Sequence, residues 1–385
     1  MIKVMQLVPT MSTGGAETLV KDYALLIDSK QFEVQVVVLD HHYDSLNEKL
    51  LEENNIKTTY LGEVLYGERT DLNLLQKIKK RLYRYYYLRK LVMQEKPDII
   101  HVHLVLDKYL HFLPIKKQNI ALIYTVHNVV ENYFCKDKKN KRKYKEYKEC
   151  QRLIDKYDMT LIALHDFMNR QLRDFFHTDK VVTVNNGVQV EKFSRKLFNR
   201  EKIRSDLGFE LSDFVVGNIG RMHPQKNHDL ILDIFMKVLE TKNNAKLLLV
   251  GKGEREEYVR SKVRELQIQD KVVMLKNRPD IPELMSAMDV FLLPSLYEGF
   301  PVALVEAQAA GLPCVVSDTI TKESVLTKQV QMIGLDESVW KWADAICNAN
   351  YSETAADEMA DYDIKNCIKK LENVYWQSVH KHPDF

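Results

Sequence analysis

Cysteine is sparse in this chain: five thiols (Cys135, Cys150, Cys314, Cys347 and Cys367) among 385 residues, none in C-x-x-C spacing. That spacing offers neither a zinc site nor a disulfide framework, and it fits a reducing cytoplasm best. No apolar run approaches the roughly 20 residues that a bilayer-spanning helix needs, so any membrane contact is expected to be peripheral. Met1-Ile2-Lys3-Val4 runs directly into a strand-like stretch and a Gly-Gly turn, which leaves no room for a signal-peptide core. Net charge is almost absent, at +2, so charge has to be read locally. Internal repeats and low-complexity tracts are missing as well. The only Asp-x-Asp, Asp361-Tyr362-Asp363, follows no apolar strand and is a poor holder for a metal diphosphate.

What is present is a long alternation. Hydrophobic residues make up 45% and charged residues 29%, the balance of a globular chain with room for about two domains. Short β-rich runs at 4–7, 34–39, 99–102, 122–126, 160–164 and 181–184 are separated by helical patterns, which predicts a parallel sheet. Regularity lapses at 194–204. A second series then begins, with strands at 214–219, 246–250, 272–275, 290–293 and 314–316. Two doubly wound α/β domains follow, 1–187 and 188–363, with a ligand expected between them at the carboxyl edges of the strands. The amphipathic terminal helix, 364–379 within 364–385, carries Tyr375 and Trp376 and is a candidate to pack back on the first domain.

Four loops at predicted strand edges hold chemistry. After 290–293 comes Glu298-Gly299-Phe300-Pro301-Val302, a turn opening into a helix that carries Glu306. Free N–H groups there suit an anion, and two carboxylates suit sugar and ribose hydroxyls; the same spacing also fits an ordinary strand-loop-helix unit with two solvated glutamates. After 214–219, Arg221 and Lys226 leave the strand edge together, where a guanidinium fork and an ammonium can converge on one diphosphate, or remain two surface cations. Near the N-terminus, Thr13 precedes Gly14-Gly15-Ala16-Glu17, where glycines allow close approach to a ligand. It is not a G-x-G-x-x-G loop, which argues against a nicotinamide or flavin cofactor. Gly251, in Gly251-Lys252-Gly253, has a more modest claim, since it could serve only to turn the chain.

Three histidines lie at probable carboxyl ends: His101, His103, and His127 in Thr125-Val126-His127-Asn128. His127 is placed to donate a hydrogen bond to a sugar hydroxyl or a developing charge, and His103 to shape the acceptor side. A metal held by His101 and His103 is the rival idea. The two rings are expected to diverge to opposite faces of their strand, so no metal is assigned.

These segments, in this order, resemble the family-4 (group 1) retaining glycosyltransferases of the GT-B fold. The run Val184-Asn185-Asn186-Gly187-Val188, the stretch Ala310-Gly311-Leu312-Pro313 and Ser317-Asp318 are similar to the family too, so the likeness spans nearly the whole chain. It implies two Rossmann-like domains facing across a cleft and a hexosyl or N-acetylhexosaminyl transfer with retention. The donor would be a nucleotide diphosphate sugar, most readily uridine-linked, and no cofactor or metal would be required. Arg221 and Lys226 would bind the donor diphosphate, Glu306 the ribose and Glu298 the transferred sugar. Gly299 and Phe300 would bind its hydroxyls through backbone N–H groups, Gly15 would close over the phosphates, and His127 matches the family's active-site histidine. Pro301 departs from the Gly or Ser common there, and Phe-Pro variants resemble those of bacterial capsule and exopolysaccharide enzymes.

Two basic stretches, 77–90 (KIKKRLYRYYYLRK) and 136–148 (KDKKNKRKYKEYK), lie in the first domain. Lysine, arginine and tyrosine together suit a membrane interface as well as they suit a solvated surface. Because the family resembled binds acceptors in its first domain, the resemblance implies that they would serve a polyprenyl-diphosphate-linked glycan acceptor at the inner face of the cell membrane. Nucleic acid is the weaker partner, because no binding module accompanies them. Two rivals share the architecture: a non-hydrolysing nucleotide-sugar epimerase and a catalytically silent nucleotide-sugar-binding subunit.

Overall fold

A computed structural model describes residues 1–12, 14–41, 45–62, 65, 72–104, 109–127, 129–276, 278–351 and 356–380. Thr13 and Asn128, named above, lie outside the described residues, as does 381–385 at the end of the terminal segment. The chain divides into two compact units, Met1–Asn186 with Lys365–Phe385, and Gly187–Ile364.

The first unit is built on seven parallel strands: β1 (Ile2–Val8), β2 (Phe32–Val38), β3 (Lys57–Tyr60), β4 (Ile99–His103), β5 (Ala121–Thr125), β6 (Thr160–Ala163) and β7 (Val181–Thr183). Their order is β3-β2-β1-β4-β5-β6-β7. The central strands are nearly continuous apolar runs, because helices cover both faces of such a sheet. β4 breaks that rule: Ile99, Ile100, His101, Val102 and His103 are all buried, two of them imidazoles. The helix Ile364–His380 supplies part of their cover, with Tyr375 fully buried, Phe32 5.8 Å from its ring, and Glu372 accepting from the Asp28 N–H at 2.9 Å.

The second unit holds β8 (Phe214–Ile219), β9 (Ala245–Val250), β10 (Val272–Leu275), β11 (Val290–Leu293), β12 (Cys314–Ser317) and β13 (Val330–Ile333), again all parallel, ordered β10-β9-β8-β11-β12-β13. Helix His228–Thr241 lays Ile231, Leu232, Ile234, Phe235 and Val238 into a core shared with Trp342 and the strands. Side chains of this size each contribute roughly 1.5–3 kcal/mol on full burial. The stretch 194–204, read from sequence as irregular, runs into helix Arg200–Asp206. It is anchored because buried Arg204 donates to Asp289 and to the carbonyls of Ala287, Leu211 and Asp213.

β3 and β13 have no counterpart among the predicted strands. Each is a four-residue edge strand, and β3 (Lys57-Thr58-Thr59-Tyr60) has no fully buried residue. Polar residues interrupt both, Thr58 and Thr59 in β3 and Gln331 in β13, so neither shows the continuous apolar run of β10 (Val272–Leu275) at the other edge of the second sheet.

Candidate active site

In each sheet the strand order reverses once, between β1 and β4 and between β8 and β11. Connections leaving in opposite directions open a crevice at the carboxyl ends of those strands.

In the second unit the crevice is flanked by the loops after β8 and β11. Lys226 Nζ meets Glu298 Oε1 at 2.5 Å, with both side chains nearly buried. Gln225 Nε2 donates to Glu298 Oε2 at 3.1 Å and to the Tyr297 carbonyl at 2.8 Å, while the Leu296 N–H donates to the Gln225 carbonyl at 2.8 Å. One carboxylate therefore ties two loops 72 residues apart in sequence. Arg221 is exposed, and its guanidinium has no protein acceptor among the described residues. The loop fits because Gly251, at φ +151°, passes under it: a Cβ there would lie 2.0 Å from the Gly220 carbonyl oxygen. Gly251 is thus explained by close backbone approach.

Pro301 is the N-cap of helix Val302–Ala309 rather than its first residue, and no side chain caps that end. The first N–H groups of a helix have no partner within it and attract an anion. Glu306 stands half-buried one turn in. Phe300 is buried, its ring parallel to Tyr362 at 5.5 Å. His228, just beyond Lys226, is buried with Nδ1 unpartnered, and desolvation, then Arg255 and Lys226, hold it down at about 4. Neither Gln225 nor His228 was identified from sequence. Gln225 was within reach, since it lies in the loop between Arg221 and Lys226.

In the first unit, the expectation about the histidines is corrected. His101 and His103 do not diverge; residues two apart on a strand lie on one face, and their ring centroids are 4.1 Å apart. His101 is bonded at both nitrogens, to Tyr375 Oη and Thr125 Oγ1, each at 2.7 Å. His103 Nδ1 is 3.0 Å from His127 Nε2. Burial, with smaller contributions from neighbouring imidazoles, holds His101 down at about 3 and His103 well below its usual range. Desolvation shifts His127 the same way. All three rings are neutral at pH 7. No group of three or more His, Cys, Asp or Glu is placed to hold a metal among the described residues.

Gly14 is the N-cap of helix Gly15–Leu26, and a Cβ there would collide with Glu17 Oε2 at 2.2 Å. Glu17 folds back over this end, accepting from Ser12 Oγ at 3.0 Å. Glu17 thus lies where the glycine loop alone suggested an open approach.

Two all-parallel sheets of this topology, each with a polar loop cluster at its switch point, are the architecture of the GT-B fold. Residues 13–192 match the family described as Glycosyltransferase Family 4, and residues 199–361 match Glycosyl transferases group 1. The chain belongs to the group 1 glycosyltransferases. Among its relatives is EpsF of Bacillus subtilis, named as a glycosyltransferase, 32% identical over 53% of this chain and about half (55%) of its own length. Another is the UDP-Gal:alpha-D-GlcNAc-diphosphoundecaprenol alpha-1,3-galactosyltransferase of Escherichia coli, 28% identical over 74% of this chain and 73% of that one. HepE of Anabaena, solved with UDP and glucose, superposes with a TM-score of 0.75 over 98% of this chain and 100% of its own, at 19% identity.

Proposed function

We propose that this chain transfers a hexosyl or N-acetylhexosaminyl unit, with retention, from a UDP-sugar to a glycan carried on a polyprenyl diphosphate, in the making of a capsule or exopolysaccharide. The observation that carries the reading is the Lys226–Glu298 pair beside an unpaired Arg221 at the switch point of the second sheet. A diphosphate brings more negative charge to Lys226 than one carboxylate does, so donor binding draws Lys226 away and releases Glu298 to accept from sugar hydroxyls. Arg221, Lys226 and the uncapped helix end at Val302 then stabilise the departing UDP, with Glu306 on the ribose. No metal is needed for that charge balance.

In the transfer, the bond from the anomeric carbon to the diphosphate oxygen breaks and the acceptor oxygen bonds to the same face. Its proton passes to the leaving phosphate oxygen. The acceptor class rests on the E. coli relative's name and on the surface of helix Leu74–Glu95. Leu74, Leu75, Ile78, Leu82 and Tyr86 are exposed there beside exposed Lys77, Lys79, Arg81 and Lys90. An apolar strip with cations at its margins suits the cytoplasmic face of a membrane, where it makes peripheral contact. In 136–148, Lys136 lies 4.8 Å from the Phe175 ring centroid and Lys143 donates to the Glu131 carbonyl, so part of that charge is used within the fold. No helix among the described residues is long and apolar enough to cross a membrane.

The test is a UDP-sugar panel, first by thermal shift and then with lipid-linked acceptor, on wild type and Arg221→Ala. Removing a comparable transition-state donor costs about 10²–10³ in kcat. Full activity in the variant overturns the phosphate assignment, and epimerisation of donor without acceptor overturns transfer.

A further inference from the structure

The contact between His103 Nδ1 and His127 Nε2, 3.0 Å long, joins two imidazoles that both stay uncharged. Such a contact holds one proton, and which ring owns it decides what the other end of His127 can do. If His127 keeps the proton on Nε2, then His103 must carry its own proton on Nε2. That atom is buried and has no partner among the described residues. If His103 donates from Nδ1, its Nε2 is a bare lone pair instead. A buried N–H without an acceptor is rarer in folded proteins than an under-used acceptor, and leaving a buried donor unmet costs its full desolvation. The second arrangement is the cheaper one.

The rings are also held in place for it. His103 stands 4.1 Å from His101 and 6.5 Å from the Tyr23 ring, and His101 is fixed at both nitrogens. From this geometry we propose that His103 is a positioning residue: it donates Nδ1–H to His127 Nε2 and fixes His127 as the Nδ1–H tautomer. His127 then meets a ligand as a hydrogen-bond donor and not as a base. The proposal rests on the transfer reading for its consequence, which is that the acceptor's proton goes to the leaving phosphate and His127 steadies charge on oxygen.

The experiment reads tautomers directly, by nitrogen-15 NMR of full-length protein labelled at histidine, with His127→Phe used to assign the His127 signals. Wild type is expected to show His127 protonated at Nδ1. His103→Asn keeps an N–H donor at the same distance along the side chain and preserves that state. His103→Phe, or His103→Leu should the first not fold, removes the donor and moves His127 towards the Nε2–H form. In transfer assays, kcat falls by about a hundredfold in His103→Phe, with little change in donor KM, and recovers in His103→Asn. An Nε2–H state in wild type, an Nδ1–H state that persists in His103→Phe, or equal loss of kcat in the Asn and Phe variants overturns the proposal. The NMR readings need no sugar donor, so a protein that transfers nothing would count against the transfer reading alone.

Discussion

The two switch-point clusters solve opposite electrostatic problems with the same topology. At β8 and β11 the groups are charged: Lys226 against Glu298, with Arg221 open to solvent. At β4 and β5 they are neutral imidazoles and hydroxyls, His101, His103, His127, Thr125 and Tyr375. A strand edge is a place to put side chains, and burial chooses their chemistry. Where an opposite charge lies within hydrogen-bond reach, ions persist even nearly buried; where burial brings no such partner, histidine survives only uncharged. The charged crevice offers a cation to an anion, and the neutral one offers only hydrogen bonds.

The sharpest way to break this contrast is Lys226→Ala. Turnover should fall about 10²–10³-fold with the fold intact, and unchanged kcat would remove the charged half. Removing the partner carboxylate, Glu298→Gln, should change selectivity across a UDP-sugar panel more than affinity for UDP alone; calorimetry with UDP and with UDP-sugars separates the two. A third test uses acid. His101, held at about 3, is neutral in the fold but titrates near 6.5 once unfolded, so its contribution is complete above pH 6.5 and is lost as pH falls towards 3. That loss is up to about 1.4 kcal/mol per pH unit. Hydrogen exchange at pH 7.5 and 5.5 should show β4 and β5 losing more protection than β8 and β9, and equal loss would erase the contrast. Tyr375→Phe is gentler, leaving His101 Nδ1 unpaired at about 1–3 kcal/mol, read as a lower urea midpoint. The smallest effect on turnover with a soluble acceptor belongs to Leu82→Lys. It should weaken binding to neutral phosphatidylcholine vesicles, where only the lost apolar contact counts, and unchanged binding there would return helix Leu74–Glu95 to ordinary surface.

Much of the architecture was legible in the sequence, because a sheet covered on both faces writes itself as apolar runs spaced by helical periods. β3 (Lys57-Thr58-Thr59-Tyr60) and β13 (Val330-Gln331-Met332-Ile333) were not, since polar residues interrupt them, whereas the edge strand β10 (Val272-Val273-Met274-Leu275) is an unbroken apolar run and was read. At the site, Glu298, Arg221 and Lys226 could be picked out as strand-edge residues, but nothing in their spacing shows that Lys226 and Glu298 touch. That contact is between loops 72 residues apart in sequence, which spacing within either loop does not encode. The histidine pair was misjudged for a simpler reason: a strand's two-residue period places His101 and His103 side by side.

Tyr375 comes from a helix that follows the whole second unit in the chain yet closes over the sheet of the first. A ribosome adding ~5–20 residues per second needs roughly 10–40 s to travel from Asn186 to Tyr375. During that interval β4 exists with its imidazoles uncovered, while the second unit, continuous in sequence, is free to fold. Synthesis therefore finishes the later half before the earlier one, and a chain that stalls short of its last helix carries a complete second unit beside an open first sheet.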